Sequence, residues 1–134
     1  MDRKETMEFF NHRPRNCLLV TSNGKGKVNV AVYGSPRMID ENTVVLATRE
    51  NRSYQYLREN PEAAIMVVEP GEISRASGGV RISLELTAVE TEGDLLQEFK
   101  EGVARRAGKE AAVGIIAALR FRVTEVRPLV ASVG

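Results

Sequence analysis

Alternating apolar and polar residues predict a chain dominated by β-strands with short connections. The clearest strand covers residues 80–88, where Val80, Ile82 and Leu84 alternate with polar neighbours. Five more strands are predicted over residues 17–22, 28–39, 44–48, 63–68 and 119–124. Pro36 cannot donate to a strand ladder, so we expect the strand over 28–39 to lie at a sheet edge or to bend there.

Three segments have the spacing of amphipathic helices. The first covers residues 3–12, the second covers residues 53–60 and ends before Pro61, and the third begins near Asp94. The length of the strand over 80–88 favours a barrel or a long hairpin over a small open sheet. We therefore predict one mainly β domain, residues 1–134, with six strands and about three flanking helices.

One predicted strand has a face suited to a ligand. Val28, Val30 and Val32 alternate with Asn29 and Ala31, so we expect the valines to face the core. The other row, which continues to Tyr33, would then face away from the core and be available to a ligand. Its small residues leave room for a flat ligand.

Composition narrows the function classes. Nineteen basic and eighteen acidic residues give a net charge of +1, so we expect no nucleic-acid or membrane partner, and any anion site must be local. One cysteine and one histidine offer no cluster of metal ligands, and Cys17 is interpreted as a buried structural residue. The charged start, without a long apolar run, favours a cytoplasmic protein.

Residues 48–53 form a candidate anion site because they lead directly into the second predicted helix. The free N–H groups of a helix N-terminus, with Arg52 and the hydroxyls of Thr48 and Ser53, could bind a phosphate. Arg49 is a weaker candidate because Glu50 could neutralise it. The alternative interpretation is an ordinary solvated turn in which Asn51 or Ser53 caps the helix.

The order of elements over residues 17–70, with Asn51-Arg52-Ser53 before a helix that ends in Asn60-Pro61, resembles a known family. It is similar to the FMN-binding split barrels of the pyridoxamine 5'-phosphate oxidase-like superfamily, in which the phosphate motif typically reads Ser-Arg-Lys or Lys-Thr. Ser53 stands where a lysine or threonine is usual. The resemblance implies a six-stranded antiparallel split β-barrel of the Greek-key type and a homodimer with FMN in the subunit interface.

The resemblance also implies which residues bind the cofactor. The phosphate would lie on residues of the 48–53 segment, and the flavin ring would lie beside one strand and above the end of another. The implied cofactor-binding residues are Val30, Ala31, Val32, Tyr33, Gly34, Ala47, Thr48, Arg49, Asn51, Arg52 and Ser53.

The sequence says less about the reaction than about the cofactor. The Arg-x-His substrate pattern of the pyridoxamine phosphate oxidases is missing, so we do not expect vitamin B6 oxidation. Flavin chemistry needs no protein nucleophile or metal, and no catalytic residue is assigned. The first hypothesis is an FMN-dependent oxidoreductase with an unidentified substrate and a nicotinamide or protein electron donor. The alternatives are a non-enzymatic FMN carrier and a relative that binds F420 or haem.

Overall fold

The structure is a computed structural model that describes residues 1–130. In this range the chain forms four helices and one antiparallel sheet of seven strands, in the order β2-β1-β5-β6-β7-β4-β3. The elements are α1 (Arg3–Asn11), β1 (Asn16–Ser22), β2 (Val28–Val32), β3 (Arg37–Asp40), β4 (Thr43–Thr48), α2 (Arg52–Glu59), β5 (Glu62–Val68), β6 (Gly79–Glu90), α3 (Asp94–Ala107), α4 (Lys109–Val113) and β7 (Ala117–Pro128).

The two edge strands are consecutive in sequence, which forces the sheet to curl. Four residues, 33–36, connect β2 at one edge to β3 at the other. A flat sheet would separate the outer two of seven strands by about 29 Å, whereas this connection spans at most about 18 Å. The edges therefore approach each other without pairing, and the sheet stays open between them.

The predicted strand count and helix count were both too low. The single strand expected over 28–39 is two strands, because the chain leaves one sheet edge at Tyr33 and joins the opposite edge at Arg37. The bend expected near Ser35 and Pro36 is at this crossing. The short helix α4 was not predicted, and neither a closed barrel nor a Greek-key arrangement is confirmed by the strand order.

Two apolar clusters hold the fold together. The larger one fills the inside of the curled sheet, where Leu19, Ile82 and Phe121 pack with Phe10 of α1 and Leu57 of α2. The smaller one lies between α3 and the opposite face of β4 and β7; its buried members are Val45, Ala47, Leu95, Leu96, Phe99, Ile115 and Ala118. Strand β4 is thus buried on both faces, which explains its continuous apolar sequence.

The valine row of β2 faces the opposite way from the prediction. Val28, Val30 and Val32 are 73%, 61% and 77% exposed, while Asn29 and Ala31 are partly buried. The prediction was wrong because alternation alone shows that two faces differ without showing which one meets the core. In the single chain the valines form an exposed apolar row on an edge strand.

Candidate functional site

A cleft of about 410 Å³ opens where the crossing between β2 and β3 passes the end of β4. We call it the main cleft. Its volume lies within the range of about 300–1,000 Å³ that is usual for small-molecule sites. Its lining residues are Arg13, Ala31, Val32, Tyr33, Gly34, Ser35, Ala47, Thr48, Arg49, Asn51, Val103, Arg106 and Ile115.

The main cleft brings together two segments, residues 31–34 and 47–51, between which twelve residues lie in the sequence. Eight of the eleven predicted cofactor residues line it: Ala31, Val32, Tyr33, Gly34, Ala47, Thr48, Arg49 and Asn51. Val30, Arg52 and Ser53 do not. Val30 belongs to the exposed valine row, Arg52 is exposed at the first position of α2, and Ser53 is buried.

Three polar side chains form a hydrogen-bonded chain inside the main cleft. The Asn51 Nδ2 donates to the Tyr33 hydroxyl at 3.0 Å, and the Tyr33 and Thr48 hydroxyls lie 2.9 Å apart. Either hydroxyl can donate in this contact, and the Thr48 Oγ1 can also donate to the carbonyl of Arg49 at 3.1 Å. The hydroxyl hydrogen of Thr48 is therefore already engaged and is not the free donor that the sequence suggested.

Asn51 also acts as the N-cap of α2. Its Oδ1 accepts a hydrogen bond from the backbone N–H of Tyr54 at 3.0 Å, with extended backbone at the cap. The capping role weighed as the alternative interpretation is thus correct for this side chain. Capping also fixes Asn51 beside the main cleft, since the amide group bonds the helix through its oxygen and Tyr33 through its nitrogen.

Arg49 is not neutralised by Glu50, contrary to the prediction. Glu50 forms a two-pronged ion pair with Arg58, at 2.9 and 2.6 Å, and this pairing lowers the pKa of the Glu50 carboxyl. The Arg49 guanidinium instead donates to the carbonyl of Ala111 at 2.6 Å. It lies against Gly114, where a Cβ would overlap it. Within the described residues, Arg49 therefore has no acidic partner at the main cleft.

Ser53 and Arg52 lie in the first turn of α2, just beyond the lining residues. The Ser53 hydroxyl accepts a hydrogen bond from Asn29 Nδ2 at 3.2 Å, which ties α2 to β2. Within residues 1–130 the Arg52 guanidinium forms no hydrogen bond or ion pair. Its charge is therefore available to an anion at the start of the helix.

Sequence reasoning missed the lining residues that come from distant parts of the chain. Arg13 donates to the carbonyl of Gly34 at 3.0 Å, and Arg106 and Val103 come from the last turns of α3. Ser35 joins the crossing to β4, because its hydroxyl accepts from the N–H of Ala47 at 3.0 Å. No local motif marks these residues, since only the tertiary fold brings them to the cleft.

Side chains of residues 11–15 hold the wall of the main cleft from behind. Asn11 both donates to and accepts from the backbone of Met38, at 2.8 Å in each direction. Arg15 donates to the carbonyl of Pro36, and its guanidinium packs over the ring of Phe10. Together with the hydrogen bond from the Tyr33 backbone N–H to the carbonyl of Cys17, at 3.0 Å, these contacts fix the crossing and the start of β3 in place.

The chemistry of the main cleft fits an anionic, partly flat ligand. Three arginines and no acidic residue line it, within the described part of the chain. Ala31, Gly34 and Ala47 leave space beside them, and a Cβ added at Gly34 would contact nothing within 4 Å. Guanidinium groups match phosphate oxygens in geometry and charge. The donor set therefore suits a phosphorylated ligand that has a planar part.

Replacing Tyr33 with phenylalanine tests the polar chain of the main cleft. We expect the free energy of unfolding to fall by about 1 kcal/mol, because Thr48 and Asn51 each lose a hydrogen-bond partner. Urea denaturation measures this loss. Tyr56→Phe is the matched control, because no hydrogen bond of its hydroxyl is found in residues 1–130 and its replacement should change the stability little. Equal losses of unfolding free energy in both variants would show that the hydrogen bonds of Tyr33 to Thr48 and Asn51 contribute nothing to stability.

Two reactive side chains can be set aside. Cys17 is buried, and burial raises the pKa of its thiol to about 11, so the reactive thiolate is scarce near neutral pH. His12 is exposed at the end of α1 and does not line the main cleft.

No helix within residues 1–130 has the length and apolar character needed to cross a membrane. The same residues contain no group of three metal-ligating side chains.

Comparison with known proteins gives one family and several structural relatives. Residues 3–130 match the family model described as pyridoxamine 5'-phosphate oxidase. No curated protein matches the chain. Among solved structures, an FMN-binding protein from Syntrophomonas wolfei subsp. wolfei has a TM-score of 0.82 and 22% identity, covering 97% of this chain and 90% of its own.

Two further solved structures carry different names. HutZ, the haem storage protein from Vibrio cholerae, has a TM-score of 0.66 and 18% identity, covering 96% of this chain and 95% of its own. A structure named F420 reductase has a TM-score of 0.66 and 16% identity, covering 90% of this chain and 94% of its own. At these identities the likeness concerns the fold alone.

Proposed function

Because this chain belongs to the pyridoxamine 5'-phosphate oxidase family, we propose that it binds FMN in the main cleft and works as an FMN-dependent oxidoreductase. The observation that carries the proposal is the meeting of Ala31–Gly34 with Thr48–Asn51 in one cleft lined by arginines. A structural relative named as an FMN-binding protein supports the choice of cofactor.

The small residues would border the ring. Ala31 and Ala47 lie on two strands that reach the main cleft from different sheet positions, and Gly34 leaves its side of the cleft open. A planar ring needs such a slot, and backbone groups at its edge give it orientation. Tyr33 keeps the slot in shape through its hydrogen bonds to Thr48 and Asn51.

The phosphate would lie at the segment that joins β4 to α2. Arg49 and Arg52 would supply charged donors there, and the start of α2 adds backbone N–H groups that have no partner within the helix. Asn51 caps the N–H of Tyr54, which leaves the N–H groups of Arg52 and Ser53 for the anion. The hydroxyl of Ser53 faces Asn29 and would contribute less than the sequence motif suggested.

FMN, when bound, supplies the hydride and electron transfer. The residues of this chain bind and orient it and limit the access of water. Within the described residues, no histidine, cysteine or carboxylate lines the main cleft. The substrate and the electron donor, for which a reduced nicotinamide or a partner protein is the expected class, would approach the exposed side of the ring.

The exposed valine row supports a homodimer with FMN in the subunit interface. Val28, Val30 and Val32 lie on an edge strand, and the same strand continues into Ala31–Gly34 of the main cleft. A second copy that covers the row would remove apolar surface from water and would approach the cofactor. The partner would then complete the wall of the cofactor site.

A panel of cofactors tests the proposal against its alternatives. Purified apo-protein is titrated with FMN, F420 and haem, followed by calorimetry and visible absorption. FMN should bind with the highest affinity, and reduced nicotinamide should then bleach its visible absorption band under anaerobic conditions. Tighter binding of F420 or haem would reject FMN, and FMN binding that no nicotinamide or protein reductant can bleach would favour a carrier.

A further inference from the structure

Residues 111–116, which we call the α4 corner, carry the chain from the end of α4 to the start of β7. Two hydrogen bonds connect this corner to the segment that joins β4 to α2. The Ile116 N–H donates to the carbonyl of Thr48 at 2.9 Å. The Arg49 guanidinium donates to the carbonyl of Ala111 at 2.6 Å. Two consecutive residues of the proposed phosphate segment are therefore tied to one corner.

The α4 corner is fixed by its buried neighbours. Ile115 is buried in the smaller apolar cluster, and its N–H donates to the carbonyl of Ala112 at 3.1 Å. Ala117 and Ala118, which follow the corner, are fully buried in β7 and pair with β4. The backbone at Gly114 therefore has little freedom to move, and a group that crowds it must itself give way.

The backbone conformation does not require glycine at position 114. Glycine is common at helix ends because it accepts a positive φ, as Gly108 does at the start of α4 with a φ of 95°. Gly114, at the other end of this helix, has a φ of −70° and a ψ of −15°. Any residue with a side chain adopts these angles readily. The reason for glycine here therefore lies outside the backbone.

The Arg49 guanidinium provides that reason, because it occupies the space that a side chain at position 114 would fill. A Cβ built on Gly114 would overlap the Nη1 of Arg49 and lie 2.9 Å from its Cζ. The next nearest atom, the carbonyl oxygen of Ala111, would lie at an ordinary distance of 3.7 Å. Only the guanidinium is in the way, and it ends a flexible, exposed side chain that can turn aside.

The α4 corner orients Arg49 without cancelling its charge. The acceptor is a carbonyl oxygen, which binds one N–H of the guanidinium but carries no full negative charge. A guanidinium has five N–H donors, and within residues 1–130 this is the one hydrogen bond that the Arg49 guanidinium forms. The group therefore stands at the main cleft as an oriented cation with donors left for an anion.

We propose that Gly114 is a positioning residue for the anion site of the main cleft, because it leaves the space in which the Arg49 guanidinium rests on the α4 corner. A side chain at position 114 would push the guanidinium away from the Ala111 carbonyl and weaken phosphate binding, while the fold stays intact. This inference rests on the proposed function for the identity of the ligand, FMN, but the contact between Gly114 and Arg49 does not depend on it.

Replacing Gly114 with alanine tests the inference. The affinity for FMN should fall by about tenfold, because a charge-assisted hydrogen bond to the phosphate is lost. The affinity for riboflavin, which lacks the phosphate, should hardly change. The thermal midpoint should also hardly change, since alanine fits the backbone angles and only a flexible side chain has to move.

Gly102→Ala is the matched control. A Cβ at Gly102 would come no closer than 3.5 Å to an arginine nitrogen, and Gly102 does not line the main cleft. We therefore expect this variant to bind FMN with wild-type affinity. A loss of FMN affinity in Gly102→Ala equal to that in Gly114→Ala would overturn the inference.

A double-mutant cycle separates the positioning of Arg49 from a general effect on the α4 corner. In the Arg49→Gln background, Gly114→Ala should cause no further loss of FMN affinity, because the group that alanine displaces is already absent. Losses that add in the double variant would overturn the inference. An equal loss of riboflavin affinity in Gly114→Ala would do the same.

NMR of the apo-protein separates a failure of this inference from a failure of the proposed function. In protein labelled with ¹⁵N, the Nε–H signal of Arg49 should report a rigid side chain in the wild type and a mobile one in Gly114→Ala. Equal mobility in both proteins would overturn the inference even if FMN binds. If FMN fails to bind the wild type while Gly114→Ala still releases the Arg49 side chain, the proposed function falls and the positioning of Arg49 remains.

Discussion

Replacing Gly34 with phenylalanine is expected to lower the affinity for FMN by about 100-fold or more, which corresponds to about 2.7 kcal/mol of binding free energy. Gly34 lines the main cleft, and a Cβ built there contacts nothing within 4 Å. Its backbone φ is not positive, so a side chain fits without strain. The benzyl group would occupy space that the proposed flavin ring needs.

The same geometry predicts that the fold tolerates this change. The open surroundings of Gly34 mean that no buried neighbour has to move, so the thermal midpoint should stay close to that of the wild type. Gly24→Phe is the matched control, since Gly24 is also exposed with an ordinary φ and lies in the turn between β1 and β2. Fluorescence titration with FMN compares the variants. If the Gly34→Phe variant bound FMN with wild-type affinity, the flavin ring would not lie beside Gly34.

The second large effect is expected when both arginines of the segment joining β4 to α2 lose their charge. Arg49→Gln combined with Arg52→Gln should weaken FMN binding by about 100-fold or more, because charge-assisted hydrogen bonds contribute about 1.5–3 kcal/mol each. The affinity for riboflavin, which lacks the phosphate, should hardly change. Separate titrations with FMN and riboflavin measure this difference directly.

The single variants then rank the two arginines. Arg49 lines the main cleft and Arg52 stands outside it, so Arg49→Gln should have the larger effect. Arg58→Gln is the control on the same helix, because Arg58 pairs with Glu50 and lies over the ring of Tyr54. A double variant that loses FMN and riboflavin affinity to the same extent would reject phosphate binding by this segment.

The local features of the fold could be predicted because they depend on near neighbours in sequence. Strand alternation identified β6, and Asn60-Pro61 marked the end of α2. The break between β2 and β3 could only be suspected from Pro36. Joining opposite edges of a sheet depends on how all seven strands pair, and this long-range pairing leaves no local signal.

In the site too, the local segments could be predicted from the sequence and the long-range contacts could not. The Ala31–Gly34 and Thr48–Asn51 segments were predicted from sequence, and the structure brings them into one cleft. Glu50 pairs with Arg58, eight residues further along the chain, rather than with its neighbour Arg49, and this pairing depends on how α2 places Arg58. Arg13 and Arg106 reach the cleft from opposite ends of the chain. The exposed valines of β2 were misassigned because periodicity does not say which face is buried.

The central claim is that FMN lies in the main cleft between the strands that carry Ala31 and Ala47. Protein labelled with ¹³C at the alanine methyl groups provides the most direct measurement, since the ring current of a bound flavin shifts nearby methyl signals. On FMN addition, the signals of Ala31 and Ala47 should shift strongly, whereas those of Ala63 and Ala64, which line other hollows, should not. Strong shifts at Ala63 and Ala64 with none at Ala31 and Ala47 would contradict the account.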